Sequence, residues 1–250
     1  MKKIIVLLLV SLLFPSISYA GGNRTNESFY DAKKMLEKYV YSMVDKKTIY
    51  CGYEFFLPNK KISLGDGFEA AEYKKRAGRV EWEHVVPAEN FGRTFSEWRD
   101  GHTLCIDRKG KKYKGRKCAE ETNREYRLMQ ADMYNLYPSV GAVNATRSNF
   151  NFTQFEDGTP SSFGACEVKI YGRKVEIPEH ARGKVARAYL YMEDTYPRYK
   201  MGRSSRQLME AWNKLYPVTE DECWRTKIIE SIQGNENRIT KGLCIEAGLW

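Results

Sequence analysis

The stretch from Arg79 to Ala88 contains the residues best suited to chemistry. It reads RVEWEHVVPA, an apolar and β-branched run that includes Glu81, Glu83 and His84, one of three histidines in the chain. Carboxylates and a histidine are unusual in a plain core strand. A carboxylate beside a histidine can hold a metal ion and remove a proton from water. The alternative is an exposed edge strand whose histidine is simply hydrogen-bonded in place.

A second polar stretch runs from Asn135 to Phe150 and reads NLYPSVGAVNATRSNF. Its asparagines and arginine surround a predicted short helix, although asparagine is a weak helix former that usually caps helices or makes a specific contact. Helical spacing places Asn144, Arg147 and Ser148 on one face. The alternative is that the asparagines only cap turns.

Basic side chains are concentrated between Phe91 and Cys118, a region that resembles a flexible insertion. Such a loop is a natural phosphate contact, although a merely solvated loop has the same composition. The chain carries a net charge of +9, and the segment without Lys2 and Lys3 carries +7. This balance favours nucleic acid, anionic glycans or anionic lipid as partners, unless the charge serves only solubility.

Residues 1–20 have the pattern of a signal peptide. Two lysines precede an apolar run, and Ser18-Tyr19-Ala20 supplies the small residues that signal peptidase requires. No later stretch approaches the roughly 18 apolar residues of a membrane span. We therefore expect a periplasmic or secreted protein that does not enter the membrane. Residues 21–250 are predicted to form one domain, because no linker or repeat divides them.

Export affects how the cysteines are interpreted. An even set in an oxidising compartment predicts up to three disulfides, and the sequence leaves about 15 complete pairings open. A zinc site is the alternative, but no two cysteines have the close spacing that such sites use. The six are Cys51, Cys105, Cys118, Cys166, Cys223 and Cys244.

Apolar periodicity predicts the elements that position these residues. Strict alternation along the first stretch puts Trp82 and His84 on one face of a strand and Glu81 and Glu83 on the other. A strand end or a bulge near Pro87 is therefore needed to bring both faces to one site. Other predicted elements are helices over 28–44, 120–133, 184–194, 205–216 and 219–233, a strand or extended segment over 48–57, a short strand over 166–170, and a loop over 59–78.

The motifs together resemble one family. The chain resembles the bacterial endonuclease I family of periplasmic and secreted nucleases, because the motifs occur in the order seen in that family. These motifs are Glu81 to Ala88 with Phe91-Gly92, the pieces of the second stretch, Tyr216-Pro217-Val218 and Gln233-Gly234-Asn235. The resemblance implies a mixed α/β (α+β) domain with a ββα-metal (His-Me finger) core. It also implies a metal-dependent endonuclease that cleaves DNA, and often RNA, without sequence preference. We expect the enzyme to be a monomer and to leave 5′-phosphate ends.

The resemblance assigns roles residue by residue. His84 corresponds to the general base. Arg116, or another arginine of the same loop, resembles the arginine that holds the cleaved phosphate. The metal, expected to be Mg²⁺ with Mn²⁺ or Ca²⁺ as alternatives, is assigned to Glu83 and Asn144. The residues predicted to contact nucleic acid are Arg147, Asn149, Lys114 and Lys117.

The sequence also departs from the family pattern. Tyr134 occupies a position that is commonly histidine, and Ala145-Thr146 replaces a usual Gly-Asp pair. An alternative is therefore an exported protein that binds nucleic acid or another polyanion through a decayed site. A basic protein of the membrane surface is a weaker alternative, because no helix joins a strongly apolar face to a basic one. His102 and His180 are expected to be ordinary surface histidines.

Overall fold

The antiparallel pair β3 (Val80–His84) and β4 (Leu136–Val140) lies next to the predicted site in the computed structural model, which describes residues 21–250. His84 is opposite Leu136 at the end of the pair, and α7 (Gly141–Arg147) follows β4 directly. The predicted strand is confirmed, and the second stretch contributes a strand as well as a short helix. The predicted signal peptide lies outside the described residues.

The N-terminal helix packs against β3. It comprises α1 (Phe29–Met35) and a π-helical continuation, Leu36–Val40. The side chain of Ser28 caps α1 by accepting a hydrogen bond from the backbone of Asp31, which satisfies a donor that the helix itself cannot pair. The predicted helix over 28–44 is therefore confirmed apart from its last turn.

Short elements occupy the segments on either side of β3. The segment 48–57, predicted as a strand or extended, is mostly turn. It contains β1 (Phe55–Phe56), which pairs with β2 (Lys61–Ile62), and an isolated bridge between Glu54 and Lys47. The region 91–118, expected to be a loop, contains short helices, as does the loop expected over 59–78. The helices of this part are α2 (Lys74–Ala77), α3 (Ala88–Gly92), α4 (Ser96–Arg99), α5 (Arg116–Thr122) and α6 (Arg124–Gln130).

The C-terminal half is mainly helical. A small sheet of β5 (Asn151–Phe152), β6 (Lys169–Tyr171) and β7 (Lys174–Glu176) has β7 in the middle. It leads to four helices, of which the last was not predicted: α8 (Glu179–Thr195), α9 (Arg203–Leu215), α10 (Glu220–Gln233) and α11 (Arg238–Glu246). One continuous cluster of buried side chains joins both halves, so residues 21–250 form a single mixed α/β domain.

Three disulfides confirm the prediction from the cysteine count and select one pairing. Cys51–Cys166 links the segment before β1 to the segment before β6, Cys105–Cys118 closes the basic region, and Cys223–Cys244 joins α10 to α11. All six cysteines are used.

Among the helices of residues 21–250, none combines the length and apolar character needed to cross a membrane.

Candidate active site

A cleft of about 310 Å³ lies where β3 ends, between α1 and α7. It brings together most of the residues predicted to do chemistry. The predicted residues that line it are Glu83, His84, Arg116, Asn144 and Asn149, and its other lining residues are Phe29, Trp82, Pro87, Ala88, Glu89, Ala145 and Ser148.

The strand pairing explains how both faces of β3 reach one cleft. Glu81 and Glu83 point toward α7, whereas Trp82 and His84 point toward the N-terminal helix, where the Trp82 indole donates to Glu37 (3.1 Å). The register with β4 is continuous as far as His84. The predicted alternation therefore agrees with the structure, and the strand end, without a bulge, lets both faces border the cleft.

The protein fixes the orientation of the His84 imidazole. Its Nε2 donates a hydrogen bond to the backbone oxygen of Gln130 (2.8 Å), and the ring packs against Phe29 at a centroid distance of 4.6 Å. Burial, with the positive charge of Arg116, lowers the pKa of His84 to about 3. The imidazole is therefore neutral at pH 7, and because Nε2 carries the proton, Nδ1 carries the lone pair.

The Glu83 carboxylate is held from its protein side. The Tyr50 hydroxyl donates to Oε1 (2.7 Å), and the Arg147 guanidinium lies 2.9 Å from the same oxygen. Burial raises the pKa of Glu83, while the charge of Arg147 opposes that rise. Both contacts engage Oε1, so Oε2 is the oxygen left to interact with a ligand.

Asn144 is oriented by a second carboxylate. Its Nδ2 donates to Glu81 Oε2 (3.2 Å), and Glu81 is itself paired with the guanidinium of Arg76, whose Nε donates at 2.7 Å. The amide oxygen of Asn144 is thereby turned away from Glu81. The sequence motifs assign no role to Glu81, although its position two residues before Glu83 puts both carboxylates on one strand face.

The oxygen donors of this cleft fit a hard divalent cation. One carboxylate oxygen from Glu83 and one amide oxygen from Asn144 are the ligand types that Mg²⁺ prefers, and Mg²⁺ keeps several waters beside so few protein ligands. No group of three or more His, Cys, Asp or Glu side chains with metal-site geometry occurs within residues 21–250. A metal at this cleft would therefore be held by a sparse donor set.

The position of Arg147 corrects a prediction. Arg147 was expected to contact nucleic acid, but its side chain is 1% exposed. Its guanidinium donates to the backbone oxygens of His84 (3.1 Å) and Val85 (2.7 Å) in addition to the Glu83 contact. Arg147 therefore ties α7 to the end of β3, and its buried guanidinium exposes no edge to a phosphate. Asn144 and Ser148, which are predicted to share its helical face, line the cleft.

The predicted phosphate contacts occupy different positions. Arg116 is exposed and is the first residue of α5, where it lines the cleft. Lys114 and Lys117 are exposed outside the lining of the cleft, and Lys117 lies 3.8 Å from Glu121. Asn149 lines the cleft and donates to Glu89 Oε2 (2.7 Å). Arg116 and Asn149 are thus placed where a ligand in the cleft could contact them, whereas Lys114 and Lys117 could contact only parts of a ligand that extend beyond the cleft.

The sequence departures lie mostly away from the chemistry. Tyr134 is buried in the core, where its hydroxyl donates to the backbone oxygen of Asn235 (3.0 Å), and it is absent from the cleft lining. Thr146 donates to Ala142 within α7 (2.9 Å). Ala145 does line the cleft, but the polar side chains identified above line it as well.

A larger cleft of about 750 Å³ lies between β4, α8 and α10. It contains none of the predicted catalytic, metal or nucleic-acid residues. His180 is at its edge, while Arg187 and Glu222 form a buried ion pair at 2.6 Å in its wall. Its basic and acidic side chains balance, so this cleft has no preference for a polyanion.

Comparison with known proteins agrees with the family motifs. A family model described as Endonuclease I matches residues 22–241. An extracellular deoxyribonuclease of Aeromonas hydrophila is 35% identical over 94% of this chain and 98% of its own length. An Endonuclease-1 of Buchnera aphidicola is 37% identical over 86% of this chain and 80% of its own. A periplasmic deoxyribonuclease of Aeromonas hydrophila is 35% identical over 79% of each chain.

Proposed function

The chain belongs to the endonuclease I family, and from this premise we propose that it is an exported endonuclease that hydrolyses phosphodiester bonds of DNA. The names of its relatives, extracellular and periplasmic deoxyribonucleases, support the substrate and the location. One observation carries the catalytic part. His84 is fixed through Nε2 by Gln130 inside a cleft that Glu83, Asn144 and Arg116 also line.

In this proposal His84 is the general base. Its neutral imidazole accepts a proton from the attacking water at Nδ1, because Nε2 is already committed to the Gln130 carbonyl. Packing against Phe29 keeps the ring from turning, so the accepting nitrogen is positioned before substrate arrives.

Arg116 binds the scissile phosphate. Its guanidinium is exposed at the cleft and can donate two parallel hydrogen bonds to phosphate oxygens, a geometry that lysine does not provide. Asn149, held by Glu89, offers a further polar contact on the α7 side.

The strand pair β3–β4 followed by α7 supports a ββα-metal core in this proposal. Glu83 Oε2 and the amide oxygen of Asn144 would hold Mg²⁺, with Mn²⁺ or Ca²⁺ as possible substitutes. When bound, the ion supplies positive charge that stabilises the phosphate and the departing 3′ oxygen. The product then carries a 5′-phosphate.

The contacts proposed here are to the sugar-phosphate backbone. Such contacts position a nucleic acid without reading its bases, so little sequence preference is expected and RNA would also be cleaved. The enzyme acts as a monomer in this proposal, since one chain supplies every group named.

Plasmid nicking tests the proposal. The oxidised protein should convert supercoiled plasmid to open circles in Mg²⁺ and lose this activity in chelator, and His84→Ala should abolish cleavage while leaving DNA binding largely intact. His180→Ala is the matched control, since that histidine lies at the other cleft. Full activity of His84→Ala would contradict the assignment, and binding without metal-dependent cleavage by the unaltered protein would instead indicate a decayed polyanion-binding site.

A further inference from the structure

A second groove continues from the catalytic cleft along β3. It has a volume of about 450 Å³ and shares three wall residues with the cleft: Phe29, Trp82 and Asn144. The two depressions are therefore neighbours along one strand, and a chain-like ligand in one can extend into the other.

The groove has basic side chains that the cleft does not contain. Lys33 enters from α1, Arg79 precedes β3, and Lys60 precedes β2. Lys60 pairs with Glu37 at 2.5 Å. Lys33 and Arg79 have no carboxylate within 4 Å among residues 21–250, and the Lys33 ammonium lies 4.4 Å from the centre of the Phe29 ring.

The positive charges at this groove are only partly neutralised, because Glu37 pairs with Lys60 but not with Lys33 or Arg79. Glu81 is its one acidic wall residue, and its carboxylate is already occupied by Arg76 and Asn144. Partial burial is the main cause that lowers the pKa of Lys33; repulsion from the Lys60 ammonium adds to it, and the charge of Glu37 opposes it. An anion placed between these cations would relieve that repulsion.

We infer that this groove binds backbone phosphates of the nucleic-acid strand that flank the scissile bond, with Lys33 and Arg79 as their contacts. Arg116 lines the cleft but not the groove, and Lys33 and Arg79 line the groove but not the cleft. The bound strand therefore runs from Arg116 past His84 and along β3. The inference rests on the proposed nuclease function for the identity of the ligand.

A continuous backbone fits the groove better than a separate small anion does. The groove shares Phe29, Trp82 and Asn144 with the cleft, and its cations are distributed on three segments rather than converging on one point. Phe29 and Trp82 form an apolar side of the groove, against which a sugar or base can lie.

Binding measurements test this inference without cleavage. In the His84→Ala background, Lys33→Ala/Arg79→Ala should weaken binding of a short DNA duplex by roughly tenfold or more at low salt, because charged hydrogen bonds are lost. The slope of log K against log salt should become less steep by about 2, since two phosphate contacts disappear. Fluorescence anisotropy over a salt series measures both.

The matched control removes two positive charges elsewhere. Lys174 in β7 and Lys214 in α9 are exposed and line neither depression, so Lys174→Ala/Lys214→Ala should leave affinity and slope nearly unchanged. Equal losses in the two double variants would overturn the inference, because they would reflect net charge alone. If the groove variant has a lowered melting temperature, the exposed Arg79→Ala alone should still reduce the slope by about 1.

Kinetics separates this inference from the proposed function. With His84 intact, the groove variant should raise KM for long DNA more than it lowers kcat, and the loss should be smaller on a small phosphodiester that has no flanking phosphates. An unaltered protein that binds DNA through the groove but never cleaves it would contradict the nuclease proposal alone. Cleavage with unchanged binding in the groove variant would contradict the groove alone.

Discussion

At the residue scale, the groups assigned to chemistry are each held by a neighbour on the protein side. Gln130 holds the His84 imidazole, Tyr50 holds the Glu83 carboxylate, and Glu81 holds the Asn144 amide. Each support engages one atom of the functional group and leaves the other for a ligand. Such preorganisation reduces the entropy that binding must otherwise overcome.

The hydroxyl of Tyr50 offers a test of that support. Tyr50→Phe removes the donor to Glu83 Oε1, so metal affinity should fall by about 10- to 100-fold, as is typical for outer-shell partners of metal ligands. Calorimetric titration with Mg²⁺ or Mn²⁺ measures this directly, and the Mg²⁺ dependence of plasmid nicking should shift to higher concentration in parallel.

Tyr53→Phe is the control for this substitution. The Tyr53 hydroxyl is buried without a hydrogen-bond partner among residues 21–250, so its removal changes a similar volume and no contact to the site. An equal loss of metal affinity in both variants would show that the Tyr50 hydrogen bond has no specific role.

At the element scale, two polar residues of α7 have different environments. Asn144 faces the cleft, while Arg147 is buried and bonds to the backbone at the end of β3. The helix is only seven residues long and would be marginal alone, so its position depends on such tertiary contacts.

Arg147→Met should therefore act mainly on stability. It leaves Glu83 buried with a single partner and frees two backbone oxygens, which should cost about 3–5 kcal/mol and lower the melting temperature by roughly 10 °C. Differential scanning calorimetry measures the shift. Arg116→Met is the comparison, because this exposed arginine should weaken DNA binding and cleavage with little change in melting temperature. A stable Arg147→Met variant with weakened DNA binding would restore the original prediction.

The same scale shows what the sequence could predict. The β-branched alternation of 80–86 specified the strand and the faces of its side chains, and the apolar stripe of 28–44 specified the first helix. Arg147 was misjudged because helical spacing tells which residues share a face but not which of them a neighbouring strand covers. The roles of Tyr50 and Gln130 depend on contacts between distant segments, which local patterns do not encode.

At the scale of the whole molecule, the cationic contacts are distributed over segments that disulfides and packing hold together. Three features favour a polyanion as the ligand: the basic region, the net charge of +7 over residues 21–250, and the groove beside β3. Only Arg116 in the basic region reaches the cleft, and its helix begins two residues before Cys118, whose sulfur is joined to Cys105. We therefore expect the position of Arg116 to depend on that bridge.

Two disulfides of similar span distinguish positioning from stability. Cys105–Cys118 and Cys223–Cys244 are separated by 13 and 21 residues, so removal of either should cost about 3 kcal/mol in the chain-entropy account. Only Cys105→Ser/Cys118→Ser should also lower kcat/KM for DNA, by roughly tenfold or more, because a phosphate-binding group displaced by about 1 Å loses much of its effect. Both double variants are assayed well below their melting temperatures, so that each is folded. Equal activity losses in the two would mean that the Cys105–Cys118 bridge contributes stability alone and that Arg116 is positioned by α5 itself.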